Sequence, residues 1–402
     1  DLLAIDEAHC MSEWGHEFRP DYLRLGAFAE RLGRPPVQAL TATASPPVRR
    51  EIAERLDMED PAVIVRGFDR PNLYLKVRRL ATERAKTAAL VEAVAESPKP
   101  GIVYVGTRRS SEELAVGLQR AGVRAEAYHA GLGSRRRGEL QDRFMGDGLE
   151  AIVATTAFGM GIDKPNVRFV FHAGLSDSVD SYYQAIGRAG RDGAPATATI
   201  FYCPRDQSAC RHLSSADVQV LTWVGEAVAG REGVSPSDLA GDLRLPRHRV
   251  LEAVGRLEEA GWLEISAAGE IVPCEGAPSL TTAIERGSAV GEKRKGYERS
   301  RLEMMRSYAD HRGCRRGFIL GYFGEEYATP CGNCDNCEAG FVERAAEVVR
   351  PFSVGAAVAH STWGPGEVQR YDGDRVIALF DSVGYRTLDL KLVVERELLR
   401  SI

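Results

Sequence analysis

The sequence predicts a multidomain α/β protein in which parallel-sheet units come first and a helical module and a small β-barrel follow. Three observations carry that expectation. Between residues 101 and 202, apolar strand-like runs alternate with helical patterns, the order that builds a parallel sheet with helical crossovers. At the front, Leu2-Leu3-Ala4-Ile5 leads into the adjacent acids Asp6 and Glu7, placing two carboxylates at a strand end, where α/β folds bind ligands. Four of the eight cysteines crowd into residues 314–337, while Cys10, Cys203, Cys210 and Cys274 are scattered. Clustered thiols without secretory features suit a metal better than disulfides.

Composition narrows the function classes. At 402 residues the chain has room for more than two domains. It is 44% hydrophobic and 27% charged, ordinary for a globular protein. With no run of about 18 apolar residues, a spanning helix and a membrane partner are excluded. A net charge of −5 excludes a protein that coats DNA nonspecifically and leaves local patches. One patch stands out: nine basic and three acidic residues between Lys293 and Gly317, locally +6. It borders the cysteines and is a candidate DNA contact.

Residues 1–66 read as strand, loop, helix (21–32), strand (37–44) and helix, the second strand ending in Thr41-Ala42-Thr43-Ala44. Phe68-Asp69-Arg70-Pro71-Asn72-Leu73 reads as a linker into a second α/β unit, residues 67–207, with strands at 101–105, 125–129, 151–154, 167–172 and 198–202. Residues 211–275 hold helical patterns at 217–229, 235–243 and 246–260. Ser235-Pro236 fits a helix start and Gly261 a helix stop. A hairpin, 262–265 with 270–272, completes a winged helix. Its third helix would turn Arg247, Arg249 and Arg256 outward, either to read DNA or only to pack; both readings stay open. Residues 290–340 hold the basic helical stretch and the cysteines. Residues 350–402 show short strands at 354–358, 366–371, 375–380 and 386–390, a small barrel.

The residue types at these places suggest nucleotide chemistry. Of the acid pair, one carboxylate can hold Mg²⁺ through water and its neighbour can orient the attacking water. Trp14, His16, Phe18 and Arg19 follow within six positions; such groups stack on bases or pair with phosphates. In the run from Tyr182 to Gly193, Gln184 can orient water, and Arg188 and Arg191, three apart, share a face if helical and can meet a triphosphate held by the other unit. Residues 155–167 follow a buried strand, and their glycines let backbone approach a ligand. Cys331, Cys334 and Cys337 have C-x-x-C-x-x-C spacing, with Cys314 upstream. Four thiolates suit tetrahedral, structural Zn²⁺, with an Fe–S cluster as the competing reading.

Asp6-Glu7-Ala8-His9 and the block after it closely resemble the DEAH box and aromatic-rich loop of RecQ-family DNA helicases, and the Q-x-x-G-R-x-x-R of Gln184–Arg191 resembles superfamily 2 helicases. The resemblance implies a partial RecA-like lobe 1 over residues 1–66, a complete RecA-like lobe 2 over 67–207, and ATP between them. It implies Asp6 on Mg²⁺, Glu7 activating water, Arg191 as arginine finger and Arg188 on the γ-phosphate. His9, Gly161 and Asp163 would couple ATP to DNA, together with Thr41–Ala44. Trp14, His16, Phe18 and Arg19 would sense single strand, while Thr107, Arg108, His129 and Thr155 would touch DNA backbone. The order of the cysteines and Tyr322-Phe323-Gly324-Glu325 resembles the RecQ zinc module, which favours Zn²⁺ on Cys314, Cys331, Cys334 and Cys337. The barrel resembles the Tudor-like tail of UvrD/PcrA-type helicases, a module for a protein partner or for stability.

The activity so implied is a 3′–5′ ATP-dependent DNA helicase of repair and recombination. It would act on single strands and duplex junctions in a bacterial, nucleoid-associated cytoplasmic setting. The rivals are an RNA helicase, which Trp14–Arg19 and the cysteines disfavour, and a non-catalytic DNA scaffold, which Glu7 and Arg191 disfavour. Three features depart from the family. The winged-helix pattern precedes the zinc motif, no HRDC-type domain is apparent, and no G-x-x-x-x-G-K-[ST] loop occurs. The family places that loop before the DEAH box, so the expectation is a fragment that does not hydrolyse ATP by itself although its parent does.

Overall fold

The computed structural model describes residues 2–12, 22, 24–159, 162–204, 206, 217–231, 233–266, 269–341 and 350–402. At the front, β1 (Leu3–Ile5) pairs in parallel with β2 (Val37–Ala39). A 3-10 turn (Ala8–Met11), α1 (Leu25–Arg31) and α2 (Pro46–Arg55) complete this small unit. Ile5, Ala8, Met11, Val48, Ile52 and Leu56 form its core.

The next unit is a parallel sheet of six strands: β3 (Leu73–Arg79), β4 (Gly101–Tyr104), β5 (Ala125–Tyr128), β6 (Ala151–Ala154), β7 (Phe169–His172) and β8 (Ala196–Tyr202), in the order β3-β8-β7-β4-β6-β5. Helices α3 (Glu83–Glu96), α4 (Arg108–Arg120), α5 (Ser134–Met145) and α6 (Val179–Ile186) lie between the strands. Successive side chains of a strand face opposite ways. Ile102, Ile152 and Val170 accordingly enter one core, and Val103, Val153 and Phe171 enter another. This is why the central strands read as continuous apolar runs. Strand β3 escapes that signal because Lys76, Arg78 and Arg79 interrupt it; it is an edge strand of the sheet.

A third group contains α7 (Asp217–Val228), α8 (Pro236–Leu243), α9 (Arg247–Glu259) and an antiparallel hairpin of β9 (Leu263–Ile265) and β10 (Ile271–Pro273). Val224, Leu239, Val250, Leu257 and Ile271 join in its core. The 31-residue α10 (Leu280–Asp310) connects this group to the cysteines. It crosses α9 through glycines: a Cβ on Gly291 would meet the Arg256 guanidinium at 2.6 Å, and one on Gly287 the Arg256 carbonyl at 3.3 Å. Arg256 therefore does not face outward as expected. It is 5% exposed and paired with Glu252 at 2.6 Å, whereas Arg247 is exposed and Arg249 half-buried.

The cysteine module holds α11 (Arg315–Tyr322) and α12 (Asp335–Glu338). The +6 patch is not one open basic face either. Arg315 and Arg316 are buried and ion-paired with Asp335 and Asp69, and Arg294 pairs with Glu259. The last group is a five-stranded antiparallel sheet, order β14-β13-β12-β11-β15. Its strands are β11 (Ala357–His360), β12 (Gly364–Asp372), β13 (Arg375–Phe380), β14 (Gly384–Asp389) and β15 (Leu399–Ser401), with α13 (Leu390–Glu395) before the last. Strand β13 is apolar on both faces. Val376, Ala378 and Phe380 fill the sheet's own core, while Ile377 and Leu379, with Tyr385, join the large core of the parallel sheet and α11.

Candidate active site and metal centre

At the end of β1, the Glu7 amide donates to Asp6 Oδ1 (2.8 Å), and Glu7 sits in the left-handed region at φ 49°. That conformation costs a non-glycine residue about 1 kcal/mol. It turns the chain so that buried His9 lies between the acid pair and the next strand end. His9 Nδ1 is 3.3 Å from Glu7 Oε2 and 2.8 Å from Thr41 Oγ1. The Thr41 hydroxyl in turn donates to Thr43 O at 3.1 Å. Glu7 and the hydroxyl tract thus share one imidazole.

In the parallel-sheet unit a cavity of about 1110 Å³ is lined by Thr107, Thr156, Gly159, His172, Gln184 and Arg188, among others. Arg188 Nη1 donates to Gly159 O, and a Cβ on Gly159 would strike that guanidinium. Arg191 Nη1 pairs with Asp163 Oδ1 at 2.6 Å. Both arginines therefore hold the segment that follows β6. They do not share a helix face as the spacing suggested. Helix α6 ends at Ile186, and the glycines at 187 and 190 resist its continuation.

The turn that carries the arginines is fixed from the 68–73 segment. Arg70 donates to Gly187 O (3.1 Å), Ala189 O (2.8 Å) and Gly190 O (3.1 Å), and Asn72 to Gly190 O (2.8 Å) and Ala194 O (2.9 Å). Gly190 has φ +58°, and a Cβ there would collide with the Asn72 amide. Phe68 stacks on Phe323 at 4.4 Å, and Tyr183 donates to Phe68 O at 2.6 Å. His172, stacked on Tyr104, is pushed down to about 3 by burial and is neutral. At the edge of the cavity, Glu83 and Asp206 come together with buried Cys203, their ligand atoms all within 4.8 Å of one another. The buried Lys86 ammonium already occupies that place, 2.7 Å from Asp206 and 3.0 Å from Glu83. Burial would lower Lys86, but these hydrogen bonds outweigh it and raise it.

Thr107 is the N-cap of α4, accepting from Ser110 N at 3.0 Å. Arg108 opens that helix and lies against Gly131 beside His129. His129 is buried, with Nε2 3.1 Å from Glu112 and Nδ1 left without a hydrogen-bond partner. Thr155 is half-buried just past β6, and its amide donates to Tyr128 O at 3.2 Å.

The sulfurs of Cys314, Cys331, Cys334 and Cys337 all lie within 4.8 Å of one another. Cys314 caps α11, where Gly317 N donates to its sulfur (3.4 Å), and Asn333 N donates to Cys331 Sγ (3.3 Å). The Cys314 thiol holds Cys334 well below the ordinary thiol range, and the same bond pushes Cys314 up. Four sulfurs this close together can all reach one ion, which fits a closed tetrahedral Zn²⁺ site. The metal loop also covers the open edge of the sheet. Leu75 N reaches Asn333 O (3.4 Å), Val77 N donates to Asp335 Oδ2 (2.9 Å), and Arg316 donates to Asp69 and Leu73 O (both 2.6 Å).

Residues 85–193 match the helicase conserved C-terminal domain, and residues 278–338 match the RecQ zinc-binding domain. The chain is 34% identical over 336 residues to the ATP-dependent DNA helicase RecQ of Pasteurella multocida, covering 84% of this chain and 42% of that protein. It is 33% identical over 341 residues to the probable ATP-dependent DNA helicase RecS of Bacillus subtilis, covering 84% and 66%. It is 43% identical over 211 residues to the RecQ-like DNA helicase BLM of Xenopus laevis, covering 52% and 16%. This chain belongs to the RecQ family. It spans less than half the length of the Pasteurella relative.

In this RecQ-family chain the cysteine module is therefore a zinc-binding one. Gln184 and Arg188 share a cavity wall with Thr107, and Arg191 joins Asp163. No described contact joins Glu7 to Arg188 or Arg191. Trp14, His16, Phe18, Arg19 and Gly161 lie outside the described residues. Arg247 and Arg249 stand apart on α9. Sequence reasoning missed Arg70 and Asn72, although a polar, proline-fixed Phe68–Leu73 run between two units was the available signal. Among the described residues, no helix is long and apolar enough to cross a membrane.

Proposed function

We propose that this chain carries the DEAH box, second motor lobe and zinc module of a RecQ-type, ATP-dependent 3′–5′ DNA helicase acting on single strands and duplex junctions in repair and recombination. The observation that carries the reading is that Arg188 and Arg191 are both anchored to the 155–163 segment, at Gly159 and Asp163. Arginines so tied can transmit a change at a triphosphate to the backbone beside a bound strand. When bound, Mg²⁺ supplies charge neutralisation at the transferring phosphoryl group. Asp6 would hold it. Glu7 would take up the attacking water's orientation, with His9 passing its position to Thr41. Arg188 and Arg191 would swing from their resting partners to the phosphates, while Gln184 orients oxygens.

Thr107, Arg108, His129 and Thr155 would hold the DNA backbone. Trp14, His16, Phe18, Arg19 and Gly161 would complete the track and the coupling. We read residues 211–275 as a winged helix whose exposed Arg247, with Arg249, approaches duplex, and residues 350–402 as a Tudor-like barrel. The test is ATP hydrolysis by the full-length protein with single-stranded DNA, with RNA, and with neither. DNA-stimulated hydrolysis that falls roughly 10³-fold in Arg191→Ala, with zinc content unchanged, supports the reading. Stimulation by RNA alone, or none by either, overturns it.

A further inference from the structure

The chain passes from the front unit to the parallel sheet through residues 56–72, between α2 and β3, and residues 61–70 form no regular element. A free connection of that kind leaves the angle between two units open. Here the end of α11 is set against it. Phe323 closes the helix and Gly324 turns the chain away at φ +82°, the left-handed conformation that glycine takes after a helix. Phe323 is fully buried. Its ring stacks on Phe68 at 4.4 Å with the planes 12° apart, and lies 4.9 Å from the Tyr183 ring of α6. Two residues on, Glu325 Oε1 accepts from the Phe68 amide at 2.7 Å. The Tyr183 hydroxyl donates to Phe68 O at 2.6 Å. Residue 68 is thus held at its amide, its ring and its carbonyl.

The same turn also meets the front unit. Arg49 of α2 donates to Phe323 O at 3.1 Å. A Cβ on Gly324 would come within 2.9 Å of Pro46 Cγ and 3.3 Å of Arg49 Nη2, so α2 leaves no room for a side chain there. Residues 323–325 therefore touch α2, the connection and α6 at once, and α6 carries Gln184. The connection continues into Arg70 and Asn72, which hold the arginine turn. The other end of α11 is fixed as well. Cys314 is its N-cap, and Arg316 in its first turn donates to Asp69 and Leu73 O. A short helix tied at both ends moves as one rigid piece.

We propose that Phe323 and Glu325 are positioning residues for the ATPase centre, and that their turn is a wedge that sets the angle between the front unit and the parallel-sheet unit. This rests on the helicase reading above, in which the acids and the arginines act on one triphosphate. A catalytic centre assembled from two units loses rate when their relative position shifts by an ångström or so. The bond from the Phe68 amide needs an acceptor oxygen and no charge, so Glu325→Gln keeps it and Glu325→Ala loses it.

The test uses the full-length protein and compares Glu325→Ala, Glu325→Gln and Phe323→Leu with Tyr74→Phe. The last removes the Tyr74–Glu338 bond, which joins the same zinc module to the sheet edge away from the connection. Glu325→Ala and Phe323→Leu each lower DNA-stimulated kcat about 5- to 10-fold, with KM for ATP within about 2-fold and zinc content unchanged. Glu325→Gln and Tyr74→Phe keep kcat. Hydrogen exchange of the residue-68 amide quickens in Glu325→Ala and not in Glu325→Gln, a reading that needs no activity. If Phe323→Leu loses its zinc, the Glu325 pair decides. Wild-type kcat or unchanged exchange in Glu325→Ala, or a loss of the same size in Glu325→Gln or Tyr74→Phe, overturns the proposal while the helicase reading stands. A wild-type protein without DNA-stimulated hydrolysis removes both.

Discussion

The two candidate halves of the nucleotide site are held in different ways. The arginine turn belongs to a six-stranded sheet with a core on each face. It is also gripped by Arg70, Asn72 and the Phe68–Phe323 stack. The acid pair sits on two three-residue strands with one small core. Its helix α2 takes its long-range contacts from the zinc module and the five-stranded sheet. One half is organised by its own interior, the other by what it leans on. The zinc module touches both, so its stability bears on each.

The largest effect should come from the metal. Cys334→Ser, or zinc removal by a strong chelator, should unfold residues 311–341, since such sites contribute on the order of 10 kcal/mol to local folding. Limited proteolysis should then cut near Leu73–Val77 as the sheet edge loses its cover. A wild-type digestion pattern after zinc loss would contradict this.

The second test is acidity. His172 has a folded value of about 3 against an unfolded value near 6.5. The unfolded chain therefore binds that proton first. Stability from this group is full above about pH 6.5 and is lost as pH falls towards 3, at roughly 1.4 kcal/mol per pH unit. His172→Phe should flatten that part of the stability curve; an unchanged slope in chemical denaturation would refute the assignment.

Third, Arg70→Ala removes donors from three carbonyls of the arginine turn. It should cost about 2–4 kcal/mol and lower ATP turnover of the full-length protein, read by thermal melting and kcat. Least, Thr41→Val removes the His9 contact and the local bond to Thr43 in the front unit and should cost about 1 kcal/mol. If Thr41→Val proved as costly as Arg70→Ala, the contrast between the two halves would fail.

Much of the parallel sheet was legible because its central strands are buried on both faces and leave unbroken apolar runs. The cysteine spacing and the Gln184–Arg191 pattern were legible because their chemistry is local in sequence. Strand β3 was not, since an edge strand tolerates the charges at Lys76, Arg78 and Arg79. Nor was the end of α6, where Gly187 and Gly190 outweighed the three-residue spacing of the arginines. Arg256, Arg315 and Arg316 read as surface cations and proved buried and paired. Charge counted along a chain says nothing about which acid arrives from elsewhere.

By itself the sequence determined the family, the alternation of strands and helices from β4 to β8 of the parallel sheet, and the four thiols of the metal centre. Each depends on neighbours within a few positions, where periodicity and spacing act. Only the tertiary structure decided that Asp69 meets Arg316, that Arg70 holds the arginine turn, and that Tyr322 meets Asp180. Those partners lie tens to hundreds of residues apart. Burial brings them together, and in a low-dielectric interior a polar group is stable only beside the partner that packing delivers.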